Sequence, residues 1–259
     1  MKLVKKKILN FLMYLDPDDL GIGKELIDKG IRERFSVAVM KKILRPHMDV
    51  LDIGANIGFY AFIEAKKVNK VYAVEPVEYN FNLLKKNIAL NGFDNIDTYR
   101  LAIGKESGTA KIYTSKRCNW ATIVDKKDRT DDYAQRWDRF KKGSESVELL
   151  SLDDFVNKYT DKMPDLIRMD VEGAEVDIIS GGAKTLSNMS DGAYLVVEIH
   201  SSCIKDKKSI AQMLDIIFGA GFKCVKVVNR LKELPIGKIA DIKDFLTYRV
   251  GCPQVFFKK

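Results

Sequence analysis

Apolar residues recur along the chain in short runs separated by amphipathic stretches, a pattern typical of strands and helices that alternate in a parallel sheet. The runs that predict strands are Val50–Ile53, Lys70–Val74, Ile96–Leu101, Leu166–Met169 and Tyr194–Ile199. Two later β-rich runs, at residues 222–228 and 253–259, have no long helix between them and predict an antiparallel pair. The pattern therefore predicts an α/β fold with a mostly parallel sheet.

The first 45 residues precede this alternation and predict a helical extension to a domain at residues 46–259. One helical face would carry Val4, Ile8, Phe11, Leu12 and Leu15, with Lys2, Lys5 and Lys6 largely off it. The segment also has the basic start and short apolar run of a secretory signal, but Asn10 interrupts the run and no small-residue cleavage site follows. We therefore expect a helix packed on the domain, and contact with a membrane surface or a partner stays open.

The alternation breaks once, between Thr114 and Leu149, where we place an insertion at about residues 115–148. This stretch is polar, rich in charge and holds both tryptophans, Trp120 and Trp137. An insertion of this length in a compact domain is typical of a lid, a binding loop or a disordered excursion. It is therefore the first candidate for the part of the chain that selects a substrate.

Composition limits the choice of fold and partner. The 259 residues are 46% hydrophobic, which suits one sizeable α/β domain and would be cramped for two. Lysine and arginine outnumber the acids 44 to 36, and basic residues recur along the whole length. An anionic substrate, a membrane surface or RNA would suit this charge, and so would a plain solvated surface. No apolar stretch approaches the ~20 residues of a transmembrane helix.

Cysteine spacing indicates the redox environment. The four cysteines, Cys118, Cys203, Cys224 and Cys252, stand far apart with no C-x-x-C pair. This spacing argues against a zinc finger or a disulfide framework. It favours a reducing compartment, so we expect a cytoplasmic protein with buried thiols.

A glycine-bearing turn follows the first predicted strand in VLDIGANIGFYAF, at residues 50–62. Gly54, Asn56 and Gly58 form G-x-N-x-G, and Glu75 ends the next strand, where an acid can accept hydrogen bonds from a ribose. The adenosine of NAD or of S-adenosylmethionine would suit this corner, and a turn without a ligand is a third interpretation. Asp52 favours S-adenosylmethionine, because an acid there can face the amino group of a methionine but would repel a pyrophosphate.

Four segments carry a resemblance to a known family: VLDIGANIGFYAF, VYAVEPVEYNFNLLKKNIALN, RLAIGKESGTAKIY and LIRMDVEGAEVDIISGG. In their order and spacing the chain resembles the FkbM family of S-adenosylmethionine-dependent methyltransferases, from about Leu20 to Glu198. The resemblance implies the Rossmann-like class I methyltransferase fold, with a seven-stranded sheet of order 3-2-1-4-5-7-6 and an antiparallel last strand. It also implies S-adenosylmethionine as cofactor and O-methylation of a hydroxyl on a sugar, glycolipid or secondary metabolite.

The resemblance further implies where the cofactor is held. Carried over to this sequence, the cofactor-binding residues are Asp52, Gly54, Ala55, Asn56, Gly58, Glu75, Pro76, Ala102 and Asp170. Glu75 would bind the ribose, and Pro76 with Val77 would flank the adenine. Backbone groups near Ala102 would meet the adenine amino group, because no acid follows the third strand. We interpret Asn87 and Asn91-Gly92 as part of a helix and its C-terminal stop.

The chemistry is predicted at the ends of the fourth and fifth strands. A methyl acceptor must be held in line with the methyl carbon and sulfur, and a hydroxyl must also lose its proton. The residues expected to meet at the mouth of the pocket are Asp170, Glu172, Glu198 and His200. His200, with an unperturbed pKa near ~6.5, is the predicted base, Asp170 positions cofactor and acceptor, and Glu198 completes the catalytic set. Glu172 is predicted to contact substrate.

Metal chemistry stays an alternative at this cluster. We expect a metal-free site, although Asp170, Glu198 and His200 could hold a divalent ion. Glu175 is predicted to lie on the following helix and to steady its first turn.

The acceptor is predicted to be a small molecule or a glycan. Asn119 and Trp120 of the insertion are its predicted contacts, because an aromatic face suits stacking on a sugar ring. Trp137, between Arg136 and Arg139, is either lid packing or a second contact. RNA methylation fits the charge, and KKNIALN resembles a segment of some tRNA methyltransferases, but the sequence has neither an N-P-P-[YF] motif nor an appended RNA-binding domain. A cofactor-binding protein without catalysis is the third hypothesis.

Overall fold

Strands and helices alternate along most of the chain in a computed structural model that describes residues 2–125, 128–201, 203–204, 206–229, 232–236, 241–248 and 251–259. The first elements are β1 (Val4–Ile8), β2 (Phe11–Leu15), α1 (Ile22–Lys29), α2 (Arg34–Ile43), β3 (Asp49–Ile53), α3 (Phe59–Ala65), β4 (Lys70–Val74), α4 (Glu78–Asn91) and β5 (Ile96–Tyr99). Next come β6 (Ala102–Gly104), β7 (Gly108–Ser115), a 3-10 helix (Cys118–Trp120), α5 (Asp131–Asp138), β8 (Lys141–Ser151) and α6 (Leu152–Tyr159). The last are β9 (Leu166–Met169), α7 (Glu175–Ser180), α8 (Ala183–Asn188), β10 (Tyr194–Glu198), α9 (Lys207–Gly219), β11 (Lys223–Val228), β12 (Glu233–Leu234), α10 (Ile242–Tyr248) and β13 (Gln254–Lys258).

The central sheet has the strand order β12-β11-β13-β10-β9-β3-β4-β5. Without β12, and read from the β5 edge, this is the order 3-2-1-4-5-7-6 of the class I fold, so the predicted fold class is confirmed. β13 runs antiparallel to β10 and β11, as predicted, and the strands from β10 to β5 pair in parallel. The predicted count of seven strands is one too few, because the two-residue β12 pairs with β11 at the edge.

Hydrophobic cores cover both faces of this sheet. β3 is buried along its whole length. Leu51 and Ile53 pack with residues of α6 to α9, whereas Val50 packs on the other face with α2, α3, α4 and the N-terminal strands. Because parallel strands are buried on both faces, the carboxyl ends of β3, β4 and β9 are where polar side chains can meet.

The N-terminal segment is a hairpin of β1 and β2, so the helix predicted there is wrong. Burial alternates along β2, with Phe11, Met13 and Leu15 buried and Leu12 37% exposed, which is the two-residue period of a strand. Val4, the first residue of the supposed helical face, is also exposed. In place of the predicted helical extension, residues 4–43 therefore form a hairpin followed by α1 and α2.

Two asparagines of α4 hold the backbone of β2. Asn87 accepts a hydrogen bond from the Tyr14 amide at 2.7 Å, and Asn91 accepts one from the Leu12 amide at 2.8 Å. Edge strands need such partners for their unpaired backbone groups. These partners lie 73 and 79 positions further along the chain, so the local pattern of apolar residues cannot predict them. The stop predicted after this helix is confirmed, because Gly92 caps α4 in the left-handed region at φ 65°.

The insertion forms a folded unit in the part that the structure describes, which excludes residues 126–127. β7 and β8 pair antiparallel and join β6 in a three-stranded sheet. Trp137 is 3% exposed and packs against Tyr113 and Arg129. Its indole N–H donates to the Trp120 carbonyl at 2.9 Å. Packing within the insertion is thus the role that the structure gives Trp137.

The four cysteines are free thiols. Cys203 is buried, but Cys118, Cys224 and Cys252 are partly exposed, so the expectation of buried thiols is correct only for Cys203. Among the residues described, no helix combines the length and apolarity needed to cross a membrane.

Candidate active site

A cavity opens at the carboxyl ends of β3, β4 and β9, and the insertion contributes part of its wall. Of the predicted cofactor residues, the wall contains Gly54, Ala55, Asn56, Glu75, Pro76, Ala102 and Asp170. Glu172 and Asn119, predicted to contact substrate, line the same cavity. The sheet thus brings residues from distant parts of the chain to the crevice of a doubly wound fold.

The turn after β3 runs through the left-handed region three times, with φ of 83° at Gly54, 52° at Asn56 and 100° at Gly58. A Cβ atom on Gly54 would lie 2.2 Å from the carbonyl oxygen of Asp170. Gly54 is therefore required for the close approach of the β9 end to the turn. Gly58 is not at the cavity wall, and its missing side chain makes room for Phe62 of α3.

Glu75 joins the turn to the end of β4. Its Oε2 accepts a hydrogen bond from the Asn56 amide at 2.9 Å, and its Oε1 accepts one from the Val77 amide at 3.0 Å. Asn80 donates to the same Oε1 at 3.3 Å. Burial raises the pKa of Glu75 to about 7, although these hydrogen bonds act in the opposite direction. Val77 itself is buried and does not line the cavity.

Asp52 does not line the cavity, and its contact with the cofactor stays a prediction. It is fully buried and pairs with Arg168, whose Nη1 donates to Asp52 Oδ1 at 2.8 Å. The two residues are register partners on β3 and β9. Arg168 of the neighbouring strand β9 therefore pairs with the Asp52 carboxylate that was expected to face a ligand.

Arg168 leads into a network that sequence reasoning missed. Its guanidinium lies 3.8 Å from the ring centroid of Tyr60, and the Tyr60 hydroxyl donates to Glu33 at 2.8 Å. Glu33 also forms a buried ion pair with Arg32, which lines the cavity. The only local signal was an arginine in the otherwise apolar strand LIRM. The network supplies two buried guanidinium groups at the cavity wall, from Arg32 and Arg168.

The predicted cluster at the ends of β9 and β10 forms around His200. Its Nε2 lies 3.6 Å from Glu172 Oε1, 3.8 Å from Asp170 Oδ1 and 3.8 Å from Glu198 Oε1. Its Nδ1 lies 2.5 Å from Glu175 Oε1. Asp170 and Glu172 line the cavity, whereas His200, Glu198 and Glu175 lie behind them. Four acids thus surround one buried imidazole.

Glu175 does more than begin α7. It is fully buried and binds His200 as well as the Gly173 amide, at 3.2 Å. The prediction placed it correctly on the helix but gave it only a local role. The spacing of Asp170, Glu172 and Glu175 was the available signal that three acids could converge.

Charge around His200 overturns the reason for choosing it as a base. Burial lowers the pKa of His200, but the neighbouring carboxylates, Glu172 first, together outweigh burial and raise the pKa well above its ordinary value. The assumption of an unperturbed pKa is therefore wrong. For Glu172, burial raises the pKa to about 7, against the opposing effect of His200.

The insertion holds the Glu172 loop in place. Glu172 has a left-handed backbone, at φ 52°, and its carbonyl accepts a hydrogen bond from the Thr122 hydroxyl at 2.9 Å. The Tyr133 hydroxyl of α5 donates to Glu172 Oε2 at 3.1 Å. Two residues of the insertion therefore position one carboxylate of the cavity wall.

The structure separates the two predicted acceptor contacts in the insertion. Asn119 lines the cavity, but Trp120 does not. The Trp120 ring packs against Phe140, with centroids 5.5 Å apart, and under the Arg117 guanidinium at 4.7 Å. Contact between Trp120 and an acceptor stays a prediction.

The sheet order and the cavity at its carboxyl edge define a class I methyltransferase fold. The Methyltransferase FkbM domain matches residues 52–224, and the chain belongs to that family. This confirms the resemblance that the four sequence segments carry.

Individual relatives support the same class. The chain is 30% identical over 173 residues to the 2-O-methyltransferase NoeI of Sinorhizobium fredii, covering 61% of this chain and 69% of that protein. It is 28% identical over 167 residues to the hexuronic acid methyltransferase AglP of Haloferax volcanii, covering 64% of this chain and 61% of that protein. The fold is similar to that of a Streptococcus mutans protein crystallised in complex with SAH, with a TM-score of 0.50 and 10% identity over 88% of this chain and 98% of that one. Family and fold together imply a methyltransferase that uses S-adenosylmethionine.

Proposed function

We propose that this protein transfers the methyl group of S-adenosylmethionine to a hydroxyl of a sugar or glycan. The observation that carries the proposal is one cavity with Glu75 on its wall, suited to a ribose, and with Asp170 and Glu172, suited to an acceptor hydroxyl. A cofactor and an acceptor bound side by side need that arrangement.

The residues present fit the cofactor. Glu75 and the backbone from Gly54 to Asn56 would hold the ribose, and Pro76 with Ala102 would lie along the adenine. Since Asp52 is buried against Arg168, Asp170 is the carboxylate that would meet the amino group of the methionine. Arg32 lines the same cavity and suits the carboxylate of the methionine. When bound there, S-adenosylmethionine supplies an electrophilic methyl group.

Asp170 and Glu172 would hold the acceptor hydroxyl. They are the members of the His200 cluster that reach the cavity wall, so an acceptor meets them before it meets His200 or Glu198. A carboxylate so placed accepts a hydrogen bond from the hydroxyl, orients its oxygen and takes up the proton as the new bond forms. Tyr133 and Thr122 keep Glu172 in position for that contact.

Two relatives guide the choice of acceptor. Their names, a 2-O-methyltransferase and a hexuronic acid methyltransferase, both describe methylation, and the second describes a sugar acid as its substrate. The cavity suits such an acceptor, because carboxylates and the Asn119 amide line it beside apolar residues of the insertion. Polar groups set in an apolar wall are typical of small-molecule sites.

A methyl-transfer assay with labelled S-adenosylmethionine tests the proposal. We expect label in hexoses, hexuronic acids or their glycans, and no label in total RNA tested in parallel. Glu172→Gln should lower kcat at least about tenfold while cofactor affinity stays near that of the wild type. Glu75→Ala should instead weaken cofactor binding by roughly 10–150-fold, the loss expected for hydrogen bonds to a charged acceptor.

Other outcomes would favour the competing hypotheses. Label in RNA alone would replace the glycan proposal with RNA methylation. Tight cofactor binding with no transfer to any acceptor class, and none in extracts of cells lacking the gene, would favour a binding protein without catalysis.

A further inference from the structure

Four atoms converge between the ends of β9 and β10, and each belongs to a side chain whose other polar atom is already held. Arg168 Nη2 donates to Asp170 Oδ2 at 3.1 Å, which leaves Asp170 Oδ1 facing His200. Tyr133 donates to Glu172 Oε2, which leaves Glu172 Oε1 facing the same ring. Gln254 Nε2 lies 3.4 Å from Glu198 Oε2, and Glu198 Oε1 faces the ring too.

His200 is oriented in the same way. Glu175 binds its Nδ1 at 2.5 Å, and this contact directs Nε2 toward the three free carboxylate oxygens. His200 is only 3% exposed, and its Nε2 lies 3.6–3.8 Å from these three oxygens, which is longer than a hydrogen bond. A carboxylate behind a histidine is the usual outer partner of a metal-binding imidazole, because it fixes the ring and the tautomer.

The separations suit metal ligands better than hydrogen bonds. Nε2 lies 3.6 Å from Glu172 Oε1 and 3.8 Å from Asp170 Oδ1, and ligand atoms of Asp170, Glu172 and His200 all lie within 4.8 Å of one another. Two atoms bonded at about 2.0–2.3 Å to one ion lie roughly 3–4.5 Å apart, depending on the angle between them. The three atoms therefore already stand at the spacing of a shared ligand sphere.

Charge also favours a cation at this place. Asp170, Glu172, Glu175 and Glu198 surround His200, while the nearby Arg168 is shared with Asp52 and Arg32 is paired with Glu33. Buried carboxylates are stable when they are paired or coordinate a metal.

We propose that Asp170, Glu172 and His200 bind one divalent cation at the cavity wall, with Glu198 beside them. Carboxylates with an imidazole suit Mn²⁺ or a similar ion. Because only two of the three ligands line the cavity, the remaining coordination positions open toward the acceptor. The proposal replaces the expectation of a metal-free site. During methyl transfer the ion would place a positive charge beside the acceptor hydroxyl. That role rests on the proposed function, whereas the binding of the ion does not.

Binding of Mn²⁺ to the full chain, without cofactor or acceptor, tests the site. Calorimetry is expected to give one ion per chain, and pulsed electron paramagnetic resonance is expected to show one coordinated imidazole nitrogen. His200→Gln should remove the nitrogen signal, and Glu172→Gln should weaken binding at least about tenfold. Glu175→Gln should weaken binding by about 10–100-fold, the usual effect of changing an outer partner.

A matched control excludes adventitious surface binding. Asp128 is an exposed acid within the insertion and outside the cluster, so Asp128→Asn should bind Mn²⁺ as the wild type does. Absence of the nitrogen signal in wild-type protein at millimolar Mn²⁺ overturns the proposal without any variant having to fold. Calorimetry with S-adenosylmethionine on the same samples separates the two claims. Cofactor binding without Mn²⁺ binding overturns only the metal site, and Mn²⁺ binding without cofactor binding overturns only the proposed function.

Discussion

Arg168 Nη1 and Asp52 Oδ1 lie 2.8 Å apart in an ion pair that is buried inside the parallel sheet. The same guanidinium reaches Asp170 at the cavity wall through its second terminal nitrogen, at 3.1 Å. One side chain thus links the centre of the sheet to the candidate active site. Removing one partner of a buried pair leaves an uncompensated charge in a medium of low dielectric constant.

Asp52→Ala is therefore expected to lower the free energy of unfolding by about 3–5 kcal/mol. The matched control is Asp28→Ala, which removes the acid of the half-exposed pair with Lys24 and should cost less than about 1 kcal/mol. Urea denaturation of both variants measures the difference. Similar losses in the two would show that Arg168 does not depend on Asp52.

Cofactor binding should depend on pH through Glu75. The buried carboxyl has a pKa of about 7. At lower pH it is protonated and accepts hydrogen bonds from the ribose hydroxyl groups less strongly. Affinity is expected to rise with pH up to about 7 and then to level, with a slope of at most about tenfold per pH unit. Calorimetry from pH 5.5 to 8.5 measures it. Glu75→Gln should flatten the profile, and an unchanged profile would assign the titration to another group.

Tyr133→Phe should impair turnover without affecting the cofactor. The hydroxyl positions Glu172 through a bond of 3.1 Å, and loss of such a bond is worth about 0.5–1.5 kcal/mol, or roughly 2–10-fold in kcat. Steady-state kinetics measure turnover, and calorimetry measures cofactor affinity. Tyr248→Phe changes a tyrosine that is 69% exposed and should leave both quantities unaltered. An equal loss in both quantities for Tyr133→Phe would mean that the hydroxyl supports the fold instead.

The hairpin should depend on Asn87, which is fully buried and bonds to the backbone of Tyr14 and Ile57. Asn87→Ala leaves those groups without partners and should lower the free energy of unfolding by about 1–3 kcal/mol. Asn82→Ala, an exposed change on the same helix, should be neutral within about 0.5 kcal/mol. Guanidinium denaturation compares the two, and a neutral Asn87→Ala would mean that β2 does not need α4.

Asn119 and Trp120 should differ in what they change. Asn119 lines the cavity, so Asn119→Ala is expected to raise the KM of the acceptor with little effect on stability. Trp120 packs within the insertion, so Trp120→Ala should lower the thermal stability and raise the acceptor KM as well. Thermal unfolding and acceptor titrations measure both effects. An unchanged KM in both variants would remove the insertion from acceptor binding.

Much of the fold can be predicted from the sequence, because buried strands and the alternation of strand, turn and helix produce local patterns of apolar residues. The strands from Val50 to Ile53 and from Leu166 to Met169 are examples, and each was predicted within one residue of its observed bounds. The sequence also predicts that Glu75 lies beside the glycine-bearing turn, since an acid at the end of the second strand of this fold occupies that position.

Tertiary structure alone decided the rest, because those features depend on partners far away in the chain. Residues 4–15 carry both a helical and an alternating pattern, and asparagines of α4 support the hairpin. Asp52 looked available to a ligand until the register of β3 and β9 set Arg168 beside it. From the sequence, His200 is expected to have the pKa of an isolated histidine. In the structure the packing of β10 against β9 and α7 surrounds it with acids, which raise that pKa. Charge interactions act through space, so a sequence names the titratable groups but not which of them will share a buried site.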